Sequence, residues 1–142
     1  MFYGEFGYKI DKKGRVPLPP RFRAAFNDGI VLSPGQEKCI VARTVSEWKK
    51  LADDLAGSPL SPSKMRTLNR AIFATTFNTS LDRQGRAAIP APLRDYAGIT
   101  SDVVVAGANN SLEIWDKELW EGEKANAQSQ AWQIIESLEK RP

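Results

Sequence analysis

The residues of this chain most suited to binding chemistry are basic side chains grouped in two short stretches, 10–23 and 81–94. In both stretches an aspartate is followed by two variable residues, a glycine and an arginine. An arginine side chain can donate two parallel hydrogen bonds to guanine O6 and N7, and a lysine can hold a phosphate. The candidate DNA-binding residues are therefore the five cations in these turns: Lys12, Lys13, Arg15, Arg83 and Arg86.

The two stretches are copies of one sequence unit at a constant offset of 71 residues. Five pairs of positions are identical, and four more keep their chemical character. The identical pairs are Asp11/Asp82, Gly14/Gly85, Arg15/Arg86, Pro19/Pro90 and Arg23/Arg94. An internal repeat at fixed spacing predicts two similar structural units. We therefore expect two half-domains that share one core.

Each copy of the Asp-x-x-Gly-Arg motif predicts a tight hairpin turn. The carboxylates of Asp11 and Asp82 are suited to accept backbone hydrogen bonds inside the turn, and Gly14 and Gly85 allow a positive φ. Short alternating runs precede and follow each motif, and the second run stops at a proline that opens a predicted helix. The predicted repeat unit is strand, turn, strand, helix.

The same turn residues support a purely structural alternative. Asp11 and Arg15, and likewise Asp82 and Arg86, can pair with each other or join one half to the other, and either arrangement would leave the guanidinium groups unavailable to a ligand. A turn needs such an acceptor, so we assign both aspartates to the structural role. For the two arginines, DNA contact and carboxylate pairing both remain open.

Charge is segregated along the chain, whose net charge is +3. Residues 9–23 include six basic side chains and one acidic one, a concentration that favours a polyanion as partner. The second copy is less basic, because Gln84 stands where the first copy has Lys13. We therefore expect the first copy, with Arg15, to contribute more to binding than the second. Residues 113–142 are acidic on balance.

Composition argues against catalytic, metal-binding and membrane proteins. The chain has no histidine, and its one cysteine, Cys39, lies in an apolar run and is interpreted as a buried hydrophobic residue. We expect no enzymatic activity, no metal or other cofactor and no small-molecule substrate. No apolar run approaches the roughly 20 residues that cross a bilayer, and the first residues do not resemble a signal peptide. A cytoplasmic location is expected.

The remaining elements predict helices that begin at capping residues. Thr44, Ser61 and Asp116 each precede a segment with helical spacing of apolar residues. We predict a first repeat at 5–49, a linker and bridging helix at 50–75, a second repeat at 76–119 and a C-terminal helix at 120–142. The last segment carries a weak apolar stripe, which either frays or packs on a neighbouring subunit. The four tryptophans are assigned to the core or to a subunit interface rather than to base stacking.

With both Asp-x-x-Gly-Arg motifs, the opening Met-Phe-Tyr-Gly-Glu-Phe and the run Leu-Glu-Ile-Trp-Asp at 112–116, the chain closely resembles the bacterial MraZ family over almost its full length. The resemblance implies an α+β fold of tandem AbrB-like (SpoVT-AbrB) swapped-hairpin half-barrels, which form one β-barrel-like core with flanking helices. It also implies a homo-oligomeric ring that binds double-stranded DNA at short direct repeats upstream of the division and cell wall gene cluster. Such a protein regulates transcription and is nucleoid-associated in the cytoplasm.

Two other functions fit part of the pattern. An AbrB-like protein-interaction or antitoxin-type scaffold would carry a long disordered tail, whereas the segment after Trp120 is short and has helical spacing. An RNA-binding module would expose aromatic side chains on a sheet beside the basic residues, and the sequence shows no such arrangement. Duplex DNA therefore remains the favoured partner.

Overall fold

The computed structural model describes residues 1–140, so the last two residues of the predicted C-terminal segment lie outside the described residues. Strands and helices are mixed along the chain, as expected for the α+β class. The strands are β1 (Glu5–Lys9), β2 (Arg15–Pro17), β3 (Ile30–Pro34), β4 (Ile40–Thr44), β5 (Phe77–Thr79), β6 (Arg86–Ala88), β7 (Asp102–Gly107) and β8 (Leu112–Asp116). The α-helices are α1 (Val45–Ala56), α2 (Pro62–Ala71), α3 (Ala91–Ala97) and α4 (Lys117–Glu139), and short 3-10 helices cover Pro20–Phe26, Gln36–Lys38 and Phe73–Thr75.

Six strands form one antiparallel sheet in the order β1-β7-β8-β4-β3-β5. The first half of the chain supplies β1 to β4, and the second half supplies β5 to β8. Strands are exchanged at both edges, because β1 pairs with β7 and β5 pairs with β3. β4 and β8 join the halves at the centre, and β2 pairs with β6 in a separate two-stranded ribbon. The two halves therefore share their strand pairing and do not form separate sheets.

One hydrophobic core contains side chains from both halves. Equivalent positions just after the two turns are buried together: Val16 and Ala87 are fully buried, and Leu18 and Ile89 are at most 2% exposed. Burying a leucine or isoleucine side chain contributes about 1.5–3 kcal/mol relative to leaving it exposed. Separating the halves would expose these residues. The strands that follow the two turns are therefore anchored in one shared core.

The segment after β2 is helical, as the repeat predicts, but it winds differently in the two copies. Its equivalent in the second copy is α3, but Pro20–Phe26 winds as a 3-10 helix. Two phenylalanine rings of this segment pack against Phe2, with ring centroids 5.1 and 5.5 Å away. The second copy has the smaller Leu93 and Ala97 at these positions. The 3-10 helix therefore occurs in the copy whose two large rings meet Phe2, and the α-helix occurs in the copy with the smaller side chains.

Three α-helices begin at the predicted capping residues. The side-chain oxygens of Thr44, Ser61 and Asp116 each accept a hydrogen bond from the backbone N–H three residues later, at 3.2, 3.3 and 3.2 Å. Each bond satisfies a donor that the helix itself leaves unpaired. The sequence therefore predicted these three capping residues correctly, because capping depends on residues that are close in the chain.

Candidate nucleic-acid interface

The first turn lies between β1 and β2 and is held by its aspartate. Asp11 Oδ1 accepts hydrogen bonds from the backbone N–H groups of Lys13 and Arg15, both at 2.9 Å. Gly14 donates its N–H to the carbonyl oxygen of Asp11 at 3.0 Å and has a φ of 76°. A residue with a Cβ rarely adopts this conformation, so the turn requires glycine. Lys12 and Lys13 are exposed at its tip.

The second turn, between β5 and β6, repeats this geometry. Asp82 Oδ1 accepts hydrogen bonds from the N–H groups of Gln84 and Arg86, both at 2.9 Å, and Gly85 has a φ of 74°. The exposed residues at this tip are Arg83 and Gln84. The two turns therefore share one backbone conformation and differ in the charge that they present, which is two lysines in one and a single arginine in the other.

Hydrogen bonding lowers the pKa of both turn aspartates. For Asp11 the largest cause is the hydrogen bond from the N–H of Arg15; partial burial opposes it, and the Arg15 side chain and the N–H of Lys13 reinforce it. The pKa of Asp82 is lowered in the same way, first by the N–H of Arg86. Donors directed at a carboxylate favour its charged form. Both carboxylates are therefore ionised at neutral pH.

Two arginines and two aspartates form a cluster that joins the turns. Arg15 Nε lies 2.7 Å from Asp11 Oδ2, and Arg86 Nε lies 2.8 Å from Asp82 Oδ2. The Nη1 atom of each arginine also lies 3.7 Å from the aspartate of the other turn. Between 25% and 32% of each side chain is exposed. We call Asp11, Arg15, Asp82 and Arg86 the crossed cluster.

The crossed cluster matches the structural alternative given above, in which the turn arginines pair with the turn aspartates. Its four charges sum to zero, and the Nε and Nη1 groups of both arginines face carboxylates. A guanidinium has five N–H groups, so each arginine has donors left beyond these contacts. The exposed Lys12, Lys13 and Arg83 take part in no ion pair within residues 1–140. The uncompensated positive charge at the turns therefore lies on these three residues.

The ribbon formed by β2 and β6 positions the two turns relative to each other. Arg15 faces Ala88 and Pro17 faces Arg86, so the turns lie at opposite ends of a three-residue antiparallel pair. The backbone of each turn also bonds to the other half, because Gly14 and Gly85 accept hydrogen bonds at 2.8 and 3.0 Å from residues that follow the opposite strand. At ~3.4 Å per residue the ribbon itself is roughly 7 Å long. The ribbon therefore holds the two turns a short distance apart.

Two further arginines support the turns, and sequence reasoning assigned them no role. Arg94 lies against Gly14, and Arg23 lies against Gly85, so closely that a Cβ on either glycine would collide with the guanidinium group. Arg23 and Arg94 each also donate to a main-chain carbonyl of their own half, at 3.0 and 2.9 Å. The sequence feature that could have identified them is that both copies of the repeat have arginine at this position. Each half thus supports the turn of the other.

Three of the four tryptophans are packed against other aromatic rings of the subunit. Trp115 is 2% exposed and packs against Trp120 with ring centroids 5.9 Å apart, and Trp48 packs against Phe73 at 5.2 Å. Trp132, by contrast, is 72% exposed on α4. Three of the four therefore pack within the subunit, as predicted, and the fourth has no packing role there.

The described residues provide little for catalysis. Burial, followed by the nearby charge of Glu113, raises the pKa of Cys39 to about 12, so its thiol stays protonated and unreactive at neutral pH. No group of three or more acidic or cysteine side chains within residues 1–140 is arranged to hold a metal ion. None of the helices in this part of the chain is long and apolar enough to span a membrane.

Comparison with known proteins gives consistent matches over the whole chain. A family model described as "MraZ protein, putative antitoxin-like" matches twice, at residues 1–71 and 72–137. The transcriptional regulator MraZ of Dehalococcoides mccartyi strain BAV1 is 60% identical over 140 residues, which cover 98% of this chain and 99% of the relative. The proteins of the same name from Natranaerobius thermophilus and Deinococcus radiodurans are 38% and 41% identical, over 97% and 92% of this chain and 96% and 92% of their own lengths.

Proposed function

The chain belongs to the MraZ family, and we propose that it regulates transcription by binding duplex DNA through the surface that its two turns form. The observation that carries this proposal is the exposure of Lys12, Lys13 and Arg83 beside a crossed cluster whose own charges cancel. Exposed cations without acidic partners are the side chains that neutralise phosphates and release counterions. Membership of a family of transcriptional regulators also agrees with the composition, which predicts no enzymatic activity.

The two kinds of basic residue have different roles in this proposal. Lys12, Lys13 and Arg83 contact phosphates, and these contacts set affinity and register without reading sequence. Arg15 and Arg86 lie between the tips, where their remaining N–H groups are directed at base edges while Asp11 and Asp82 fix the orientation of each guanidinium. Such fixed donors lose little conformational entropy on binding. The first turn contributes more, because it carries two exposed cations and the second carries one.

The dimensions of the ribbon suit a groove of the duplex. The major groove of B-DNA is about 12 Å wide and admits a two-stranded β-ribbon. A ribbon of roughly 7 Å with a turn at each end can therefore approach the groove floor while both tips reach the flanking phosphate chains. This geometry supports contact with one face of the duplex by both halves of the chain.

The finer architecture is also part of the proposal. We interpret 5–49 and 76–119 as AbrB-like swapped-hairpin repeats that share a barrel-like core, connected by 50–75 and followed by 120–142. The exchange of strands at both edges of the sheet supports this interpretation, because β1 pairs with β7 and β5 with β3. Because of this exchange, each turn is held by residues of both halves.

One subunit offers few phosphate contacts, so self-association is expected to strengthen binding. A homo-oligomeric ring would present several copies of the turn surface to adjacent DNA repeats. Once one copy has bound, the others act at a high effective concentration, which raises overall affinity without new contacts. By family resemblance the target is a set of short direct repeats upstream of the division and cell wall gene cluster, and the protein is cytoplasmic and nucleoid-associated.

Binding to labelled nucleic acid tests this function. The duplex from upstream of the protein's own gene is titrated against a scrambled duplex and a single-stranded RNA of equal length, at two salt concentrations. We expect the upstream duplex to bind about 1,000-fold more tightly than the scrambled one. A variant with Lys12, Lys13 and Arg83 replaced by Gln should lose most of its affinity for both duplexes.

A second triple variant provides the matched control. Replacing Lys49, Lys50 and Lys64 by Gln removes the same charge from exposed positions outside the turns. This control should bind DNA like the unmodified chain. Equal losses in the two triple variants would assign binding to net charge alone, and equal affinity for upstream and scrambled DNA would contradict sequence-specific recognition.

A further inference from the structure

A pocket adjoins each of the two turns, and basic side chains line both pockets. The first-turn pocket has a volume of about 260 Å³, and its polar lining comes from Asp11, Lys12, Arg94 and Thr100. The second-turn pocket has a volume of about 310 Å³, and its polar lining comes from Arg23, Asn27, Ser80, Asp82 and Arg83. Each pocket therefore lies directly beside an exposed cation at the tip of its turn.

Each pocket combines side chains from both halves of the chain. In the first-turn pocket, Lys12 comes from the first copy and Arg94 comes from α3 of the second copy. In the second-turn pocket the halves are reversed, since Arg83 comes from the second copy and Arg23 from the 3-10 helix of the first. Lys12 and Arg83 are equivalent positions of the repeat, and so are Arg23 and Arg94. The same pairing of a tip cation with a helix arginine thus occurs twice.

The two helix arginines are partly buried and have no acidic partner. Neither Arg23 nor Arg94 takes part in an ion pair within residues 1–140. Arg23 Nε donates to the carbonyl oxygen of Leu18, and Arg94 Nη1 donates to that of Ile89. A guanidinium has five N–H groups, so each arginine has donors left beyond this bond. Withdrawing a charge from water without a counter-ion costs free energy, and this favours an anion as the ligand of both side chains.

The acidic residues near the pockets do not cancel these charges. Asp11 and Asp82 line the pockets, but their charges are matched by Arg15 and Arg86 within the crossed cluster. Asp28 and Asp95, which lie close in sequence to the helix arginines, are exposed, line neither pocket and form no ion pair in the described part of the chain. Each pocket therefore retains two uncompensated cations, which are Lys12 with Arg94 and Arg83 with Arg23.

The donors in the pockets are suited to a phosphate group. An arginine presents a planar fork of N–H groups that matches the oxygen atoms of a phosphate, and a second cation holds it as a point charge. The hydroxyl groups of Thr100 and Ser80 each add one further donor to a pocket. Duplex DNA, the partner proposed above, presents phosphates at regular spacing beside the groove that the ribbon would enter.

We propose that each pocket binds one phosphate of the DNA backbone, held between the tip cation of one half and the helix arginine of the other. This inference rests on the proposed DNA binding and extends the interface to Arg23 and Arg94. Because the two cations of a pocket come from different halves, Lys12 acts together with Arg94, and Arg83 acts together with Arg23. Neither half can bind its phosphate without the other.

Phosphate ethylation tests which side chains share a phosphate. The upstream duplex is ethylated at single phosphates, which removes the charge of each modified group, and the positions that weaken binding are mapped for each variant. Arg94→Gln should bind the unmodified duplex about 10-fold more weakly, because it loses a charged hydrogen bond. It should also become insensitive to ethylation at one phosphate of each bound repeat, and Lys12→Gln should become insensitive at the same phosphate. Arg23→Gln and Arg83→Gln should share a different one.

Arg66→Gln is the matched control, since it removes the same group from an exposed position on α2. It should keep the affinity and the full ethylation pattern of the unmodified chain. Lys12 is exposed at the tip of its turn, so Lys12→Gln reports on the first-turn pocket even where Arg94→Gln destabilises the fold. Arg94→Lys, which keeps the charge, should restore sensitivity at the shared phosphate.

Three results would overturn the inference. The first is an unchanged ethylation pattern in the Arg94→Gln variant, and the second is a phosphate shared by Lys12 with Arg23 in place of Arg94. The third is calorimetric binding of inorganic phosphate that Arg94→Gln abolishes while the ethylation pattern stays the same, because this would assign the pocket to a free phosphate. An unmodified chain that does not bind the upstream duplex would instead contradict the proposed function itself.

Discussion

Arg15 reaches the carboxylate of Asp82 in the opposite half of the chain, with its Nη1 atom 3.7 Å from Oδ2. Arg86 makes the equivalent contact with Asp11, also at 3.7 Å. Pairs that are this exposed contribute only about 0–1 kcal/mol to folding. The ion pairs of the crossed cluster therefore add little to stability, and substitutions of its two arginines should affect DNA binding more than stability.

Replacing Arg15 by Ala is expected to weaken binding to the target duplex by about 10- to 100-fold, the usual cost of losing a bidentate base contact. Arg86→Ala should weaken it less, because Gln84 makes the second turn less basic. Thermal unfolding should change by only a few degrees, since Asp11 and Asp82 keep their backbone donors. Arg15→Lys, which keeps the charge and loses the fork, should reduce discrimination between target and scrambled duplex. A folded Arg15→Ala protein that binds with unchanged affinity and specificity would remove Arg15 from the interface.

The two turns provide a reciprocal test, because Lys13 and Gln84 occupy equivalent positions at exposed tips. Lys13→Gln should lower DNA affinity for all sequences and reduce the slope of log K against log salt by about 0.9 for each bound turn surface. Gln84→Lys should raise both quantities by a similar amount. Titrations over a range of salt concentrations measure the slope directly. If neither exchange changes it, these tips do not contact phosphates.

Gly14→Ala is expected to destabilise the fold by about 1–3 kcal/mol, because the residue has a positive φ. The added methyl group would also displace the guanidinium of Arg94. Adding Arg94→Ala should therefore recover only the steric part of the loss. Gly122→Ala is the contrasting control, since nothing lies within 4 Å of the added Cβ and α4 should gain about 1 kcal/mol. Denaturant unfolding measures the free energy of unfolding of the three variants. Equal effects of Gly14→Ala and Gly122→Ala would contradict the requirement for glycine in the turn.

Stability should fall in acid because of the two turn aspartates. Their pKa values lie below the ordinary 3.8 in the folded chain, so their contribution is present above pH 3.8 and is lost as pH falls through the folded values. Asp11→Asn with Asp82→Asn should flatten this part of the pH profile. Asp53→Asn with Asp54→Asn, at exposed positions on α1, serves as the control. Unfolding free energies from pH 2 to pH 7 measure the profile, and identical profiles for both double variants would exclude the turns as its source.

Much of the local structure followed from residues that are near each other in the chain. The aspartate and glycine of each turn, and the caps at Thr44, Ser61 and Asp116, depend on hydrogen bonds spanning at most four residues. Such contacts are nearly independent of the rest of the fold, so sequence spacing predicts them. The repeat predicted a helix at Pro20–Phe26 but not its 3-10 winding, which differs from that of α3 in the second copy.

The sequence by itself determined that the chain is duplicated, where its turns and helix starts lie, and which cations accompany the turns. Only the tertiary structure decided which strands pair across the halves, that Arg15 contacts Asp82, and that Arg94 supports Gly14. The physical reason is that a repeat offers each strand and side chain two equivalent partners, one in its own half and one in the other. Local sequence cannot distinguish them, and the choice is made by burial of a single shared core.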